Sequence, residues 1–248
     1  MVRHPEPASS PATSGACRSF RQIGVFAALF HSLLAKLLIV ATGLVVTGLV
    51  VTEPVAAQKT ATPIRIVAFG DSLTAGYRLA PRDAFPAKLE KALRAKGHRV
   101  EVANAGVSGD TTSAALARLD WAVPDGTGIV ILEFGANDAL RGQDPSAAKR
   151  NLEAMIQRIK AKGSAVLLAG MIAPKNWGND YSTRFDAMYS ELAKTHDLTL
   201  YPFFLDAVAL KPELNLDDGM HPNARGVDVI VERILPHVER MMTAVAGR

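Results

Sequence analysis

The chain has 248 residues, of which 28 are basic and 24 acidic, and 48% of them are hydrophobic. Four of the basic and two of the acidic residues lie in residues 1–57. Residues 58–248 therefore carry a net charge of only +2, without the basic cluster that nucleic-acid binding needs. The single cysteine, Cys17, lies in the same leader, which excludes an internal disulfide and a thiolate metal site from residues 58–248. The length of that later part is typical of one domain with a sizeable core.

The leader combines a polar, arginine-containing start with an apolar stretch that carries no charge from Leu37 to Val51. Small residues follow at Val55 and Ala57. This pattern predicts a secretory signal peptide over residues 1–57, cleaved after about Ala57, and hence export of the domain over residues 58–248. The alternative is an uncleaved membrane anchor, although about 15 uncharged residues fall short of the roughly 20 that a helix needs to span a bilayer.

Five short apolar runs alternate with helical patterns through the rest of the chain. Several of the runs are apolar throughout, as expected of parallel strands covered on both faces. The alternation predicts an α/β protein with a three-layer α/β/α architecture, a five-stranded parallel sheet and right-handed crossovers. The predicted strands are Ile64–Phe69, Val100–Ala103, Ile129–Phe134, Ala165–Ala169 and Leu198–Tyr201; the predicted helices are about Phe85–Lys96, Ser113–Leu119, Pro145–Lys162, Tyr181–Thr195 and Asn223–Thr243.

Four polar motifs follow predicted strands, at the edge of the sheet where ligands bind in open α/β folds. Each motif alone is an ordinary turn or helix cap. Their occurrence in order, each after its strand, instead favours one site assembled from distant parts of the sequence. The motifs are Gly70-Asp71-Ser72, the segment 104–110, Gly135-Ala136-Asn137-Asp138, and the segment 218–221 that precedes the last helix.

These motifs supply the groups that acyl transfer requires. Ser72 is the candidate nucleophile, and a serine hydroxyl needs a base to take its proton. His221 is the candidate base because it lies in a loop at the catalytic edge. Either Asp218 or Asp217 could orient its imidazole. A metal site formed by the two aspartates and His221 is an alternative. The other histidines of residues 58–248 are predicted elsewhere: His98 and His196 near the amino ends of strands, and His237 within the last helix.

Over about residues 63–240 the sequence closely resembles the GDSL esterases of the SGNH hydrolase superfamily. Within it, the sequence is most similar to the bacterial thioesterase I, lysophospholipase and arylesterase group. The residues behind the family name are Ser72, Gly109, Asn137 and His221. Longer runs carry the resemblance further: Ser108-Gly109-Asp110-Thr111-Thr112, the segment 171–178 followed by Tyr181, Tyr201-Pro202-Phe203-Phe204, and the segment 217–223.

The resemblance implies a flavodoxin-like strand order and a serine esterase that works through an acyl-serine intermediate. It favours Asp218 as the partner of His221. It also implies an oxyanion hole made by the backbone N–H groups of Ser72 and Gly109 and the side-chain amide of Asn137. The expected substrates are small molecules with carboxylic ester or thioester bonds, namely aryl esters, acyl-CoA and lysophospholipids. No cofactor and no metal are expected.

The bacterial group also implies that export leads to the periplasm, with any membrane attachment only through the apolar leader. The oligomeric state stays open. Asp71 and Asp138, beside the motif residues, are expected to make structural hydrogen bonds rather than to take part in chemistry.

An apolar acyl pocket is predicted with walls from Leu73, Leu140, Met171 and Trp177. The alternative is that these residues only pack in the core or in loops. Two other functions are compatible with the same scaffold. One is a carbohydrate O-deacetylase, against which the similarity beyond Met171 argues. The other is a protein that binds acyl chains or lipids without catalysis, against which the complete serine, histidine and aspartate set argues.

Overall fold

The computed structural model describes residues 62–247. The leader predicted over residues 1–57, with its cleavage site after about Ala57, lies outside the described residues and stays a prediction. Among the residues that are described, no helix combines the length and hydrophobicity needed to cross a membrane.

In the described part of the chain, one parallel sheet of five strands forms the middle layer. Its order is β2-β1-β3-β4-β5, and every neighbouring pair is parallel. This confirms the predicted α/β fold with flavodoxin-like strand order. The strands are β1 (Ile64–Gly70), β2 (Val100–Asn104), β3 (Ile129–Glu133), β4 (Ala165–Ala169) and β5 (Thr199–Tyr201).

Seven α-helices lie within residues 62–247. The second and seventh pack against each other on one face, while the third, fifth and sixth pack side by side on the other. The helices are α1 (Ser72–Ala75), α2 (Phe85–Ala95), α3 (Thr112–Ala122), α4 (Ala136–Leu140), α5 (Pro145–Ala161), α6 (Asn179–His196) and α7 (Ala224–Ala246). Short 3₁₀ turns lie at Pro81–Asp83, Lys175–Trp177 and Pro212–Leu214.

The core lies on both faces of the central strand β3, all five residues of which are buried. On α5, Leu152, Met155, Ile156 and Ile159 are fully buried. Apolar side chains at helical spacing bury one face of the helix against the sheet and neighbouring helices, and this burial is the main stabilising contribution.

Two short helices, α1 and α4, were not predicted. Each has only four or five residues, which is too short to show a helical repeat of apolar side chains. Both begin shortly after a strand, at residues that the sequence presents as turns. Gly76, with φ of 81°, ends α1, and Gly135, with φ of 121°, precedes α4. A side chain at Gly135 would also clash with the Tyr189 hydroxyl. These two helices place Ser72 and Asn137 at neighbouring helix N-termini.

Candidate active site

Ser72 is the first residue of α1 and lies directly beyond the carboxyl end of β1. The carboxylate of the preceding residue, Asp71, caps the helix by accepting a hydrogen bond from the Leu73 N–H at 3.0 Å. The Ser72 N–H donates no hydrogen bond to any of residues 62–247. The residue is buried, with 8% of its surface exposed.

His221 and Asp218 lie on one tight turn before α7. One oxygen of Asp218 accepts hydrogen bonds from the backbone N–H groups of Met220 and His221, at 2.9 and 3.0 Å. The turn passes through Gly219, whose φ of 69° suits glycine. The hydrogen bonds from the His221 and Met220 N–H groups lower the pKa of Asp218 to about 2. Its carboxylate is therefore charged throughout the neutral range.

The structure brings Ser72, His221 and Asp218 into one hydrogen-bonded series. The second oxygen of Asp218 lies 2.8 Å from His221 Nδ1, and His221 Nε2 lies 2.9 Å from Ser72 Oγ. An ionised carboxylate can only accept, so it selects the tautomer in which Nδ1 carries the hydrogen. In that tautomer Nε2 is free to accept the hydrogen bond of the serine hydroxyl.

Asp217, the competing aspartate, faces away from this series. Its carboxylate lies 3.3 Å from Arg78 Nη1 at the surface. The structure therefore pairs Asp218, and not Asp217, with His221. Over residues 62–247, no group of three or more histidine, cysteine, aspartate or glutamate side chains is arranged to hold a metal ion.

The other two residues expected in the oxyanion hole follow the carboxyl ends of β3 and β2. Asn137, the second residue of α4, donates one amide hydrogen to Asp71 at 3.1 Å, which leaves its second amide hydrogen for a ligand. Gly109 has φ of 86° and lies on the exposed loop after β2. Its N–H has no acceptor among the described residues, and its carbonyl accepts a hydrogen bond from Arg141 at 3.0 Å.

Two side chains fasten the loop after β2 to its neighbours. Arg118 on α3 donates to the Asp110 carboxylate, to the Ala105 carbonyl and to the Gly70 carbonyl. Asp138 on α4 accepts from both the N–H and the hydroxyl of Thr112. The structural hydrogen bonds expected of Asp138 are thus present, as are those of Asp71. Together these contacts fix the ends of β1, β2 and β3 relative to one another.

A buried pair of carboxyl groups lies beneath the nucleophile. Oε2 of Glu133 accepts hydrogen bonds from the Asp71 N–H and the Thr74 hydroxyl, while Oε1 has no partner among the described residues. Burial, reinforced by the charge of Asp71, raises the pKa of Glu133 well above its ordinary value. Burial also raises the pKa of Asp71 to about 6, against the hydrogen bonds from Leu73 and Asn137.

The four residues predicted to line an acyl pocket divide into two classes. Leu73 and Met171 are buried in the hydrophobic core and offer little surface to a ligand. Leu140 and Trp177 are exposed, at 53% and 45%. The indole N–H of Trp177 donates to the Ala139 carbonyl at 2.8 Å, which attaches the loop after β4 to α4.

Sequence reasoning missed Tyr77, Glu133 and Arg118. Glu133 could have been found, because it is the one charged residue in the predicted strand Ile129–Phe134, and a charge in a buried strand needs a partner. Arg118 carries no comparable signal, since one arginine on an amphipathic helix is ordinary. The ring of Tyr77 lies 4.4 Å from the imidazole of His221, between centroids, a contact across 144 residues of sequence that no local pattern indicates.

Comparison with known proteins gives one family and several relatives. Residues 68–229 match the GDSL-like Lipase/Acylhydrolase family. The chain is 41% identical to an arylesterase of Vibrio mimicus over 172 residues, 68% of this chain and 84% of the relative. It is 39% identical to the thioesterase 1/protease 1/lysophospholipase L1 of Escherichia coli K12 over 166 residues, 66% and 78% of the two chains. Among solved structures, the SGNH-hydrolase family esterase AlinE4 is 44% identical, with a TM-score of 0.61 over 72% of this chain and 96% of its own.

The buried carboxyl of Glu133 predicts a specific pH dependence of stability. Its pKa is higher in the folded protein than the ordinary 4.5, so the folded state holds a proton that the unfolded chain releases. The free energy of unfolding contributed by this group is therefore fully present below pH 4.5 and is lost as pH rises. Glu133→Gln keeps an acceptor for Asp71 and Thr74 without titrating. Denaturant unfolding between pH 4 and 8 should show wild type losing stability relative to this variant.

The matched control is Glu232→Gln, which changes an exposed glutamate on α7. Its stability should follow that of wild type at every pH. Parallel curves for wild type and Glu133→Gln would contradict the raised pKa of Glu133.

Proposed function

This chain belongs to the GDSL-like lipase/acylhydrolase family and is a hydrolase of esters and thioesters, and we propose that Ser72, His221 and Asp218 perform the hydrolysis. The observation that carries the proposal is the hydrogen-bonded series from Ser72 Oγ through the imidazole to the Asp218 carboxylate, at 2.9 and 2.8 Å. This arrangement provides a nucleophile, a base and a group that orients the base.

Acylation begins when His221 Nε2 takes the hydroxyl proton as Ser72 Oγ attacks the acyl carbon. The resulting imidazolium is stabilised by Asp218, whose pKa of about 2 keeps it charged. The intermediate then collapses, and His221 returns the proton to the departing alcohol, phenol or thiol. In the second half, His221 takes a proton from water as the water attacks the acyl-serine. The carboxylic acid leaves and Ser72 recovers its proton.

The charge that develops on the acyl oxygen needs donors held in place before reaction. The Ser72 N–H at the start of α1, the Gly109 N–H and the second amide hydrogen of Asn137 meet this need. The hydrogen bonds of Asp71, Arg141 and Thr112 described above hold the segments that carry these donors. Donors already oriented lose no energy to reorganisation, and one such donor typically contributes about 10²- to 10³-fold to turnover.

We assign the substrate class as small aryl esters, acyl thioesters and lysophospholipids. The relatives include an arylesterase and a thioesterase 1/protease 1/lysophospholipase L1. Exposed apolar side chains on the segments that follow the carboxyl ends of the strands favour an acyl group over a sugar as the recognised part. They are Val107, Leu140, Ile172, Trp177 and Met220, each at least 41% exposed.

The test of this function is hydrolysis of a substrate panel by the purified protein, with Ser72→Ala as the matched blank. The panel holds p-nitrophenyl esters from acetyl to palmitoyl, a long-chain acyl-CoA, a lysophospholipid and an acetylated sugar. We expect serine-dependent release of acid from the first three classes. Preference for the acetylated sugar would replace the proposal with carbohydrate deacetylation. Failure to hydrolyse any of them would leave a binding function.

Asp218→Asn tests the orientation of the base. The asparagine oxygen can still accept the Met220 and His221 N–H groups, which turns its NH₂ towards His221 Nδ1. Nδ1 must then accept, so the hydrogen moves to Nε2, which can no longer take a proton from Ser72. We expect kcat to fall about 10⁴-fold while the fold is kept. Steady-state kinetics should show a far smaller loss for Asp217→Asn, and equal losses would refute the pairing.

We also propose, from the predicted leader, that the enzyme works in the periplasm. If residues 1–57 direct export, the enzyme meets lysophospholipids and external esters rather than the acyl-CoA of the cytosol. Expression of the full chain in a bacterial host, followed by fractionation and N-terminal sequencing, should recover a periplasmic protein that begins near Gln58. A full-length product in the membrane fraction would support the anchor instead, and one in the cytosol would contradict export.

A further inference from the structure

One residue outside the proposed machinery contacts both the nucleophile and the base. The N–H of Tyr77 donates to the Ser72 carbonyl at 3.1 Å. Its ring lies 4.4 Å from the imidazole of His221, between centroids, with the two planes inclined by 36°. Tyr77 therefore joins the segment that carries the serine to the loop that carries the histidine.

Arg78, the next residue, contacts both the Tyr77 ring and the segment that precedes Asp218. The guanidinium of Arg78 lies 5.2 Å from the centre of the Tyr77 ring and 3.3 Å from the carboxylate of Asp217, the residue before Asp218. The ion pair is exposed, and such pairs contribute little to stability. Arg78 nevertheless adopts φ of 57°, which is unfavourable for a residue with a side chain. Strain of this kind persists where the surrounding structure imposes it, and it is concentrated at functional sites.

The hydrogen bond to Asp218 does not by itself fix the imidazole of His221. It sets the position of Nδ1, but the ring can still swing about that contact, and Nε2 then moves away from Ser72 Oγ. A second ring packed against the imidazole limits that swing, because aromatic pairs have preferred geometries.

We propose that Tyr77 is a positioning residue that holds the imidazole of His221 in line with Ser72 Oγ. This inference rests on the proposed function for its kinetic consequence. Its structural consequence, an ordered His221 ring, is independent of the substrate.

The kinetic test compares Tyr77→Ala, Tyr77→Leu and Tyr77→Phe on a p-nitrophenyl ester. Loss of the ring should lower kcat about 10- to 100-fold, as expected when a reacting group is displaced by about 1 Å. KM should stay within about twofold, since the residue acts through His221 and not on the substrate. Tyr77→Phe keeps the ring and should restore kcat. Arg82→Ala, which removes a nearby exposed arginine, is the control and should match wild type.

A second measurement needs no turnover. The proton on His221 Nδ1, held by Asp218, should give a low-field proton NMR signal in wild type and in Tyr77→Phe. In the alanine and leucine variants this signal should broaden or disappear while circular dichroism shows an intact fold. This readout stays valid if wild type proves inactive on the ester, so failure of the proposed function is distinguishable from failure of the inference.

Three results would overturn the positioning role. A wild-type kcat with a sharp Nδ1 signal in Tyr77→Ala would show that the ring is dispensable. A raised KM with unchanged kcat would make Tyr77 a substrate contact. Equal defects in Tyr77→Phe and Tyr77→Ala would assign the effect to the hydroxyl.

Discussion

All five strands of the sheet run in the same direction, so every loop from the carboxyl end of a strand leaves at one edge. This constraint assembles the site. Ser72, Gly109 and Asn137 follow the carboxyl ends of β1, β2 and β3, and the loop after β5 leads to His221. Residues that are far apart in sequence become neighbours because parallel strands offer their ends side by side. The helices on both faces bury the sheet, and they leave this edge as the place where polar groups can gather.

The edge is held together by hydrogen bonds between loops rather than by apolar packing alone. Arg118 connects the ends of β1 and β2, and Asp138 connects α4 to the start of α3. Asn137 donates to Asp71, which also caps α1. Each of these side chains is satisfied by a group on a different element, so displacement of one loop would leave polar groups unpaired in a low-dielectric region.

The buried carboxyl of Glu133 helps to hold this edge in place but lowers the stability of the fold. Its carboxyl is fully buried beneath the nucleophile, one oxygen has no partner among the described residues, and its pKa is raised by burial. A buried polar group without a full set of partners is destabilising. The same carboxyl accepts hydrogen bonds from the Asp71 N–H and the Thr74 hydroxyl, and these bonds hold the residues on either side of Ser72. Strained or costly groups are commonly found at functional sites.

The sequence by itself determined the strand alternation, the long helices and the motif residues, because buried strands and amphipathic helices leave repeating patterns of apolar side chains. The turn that joins Asp218 to His221 could also be predicted, because it spans only four residues. Only the tertiary structure decided that Asp217 faces Arg78, that Glu133 lies beneath Ser72 and that Tyr77 packs on His221. These contacts join segments from 62 to 144 residues apart, and local patterns hold no information about such pairings.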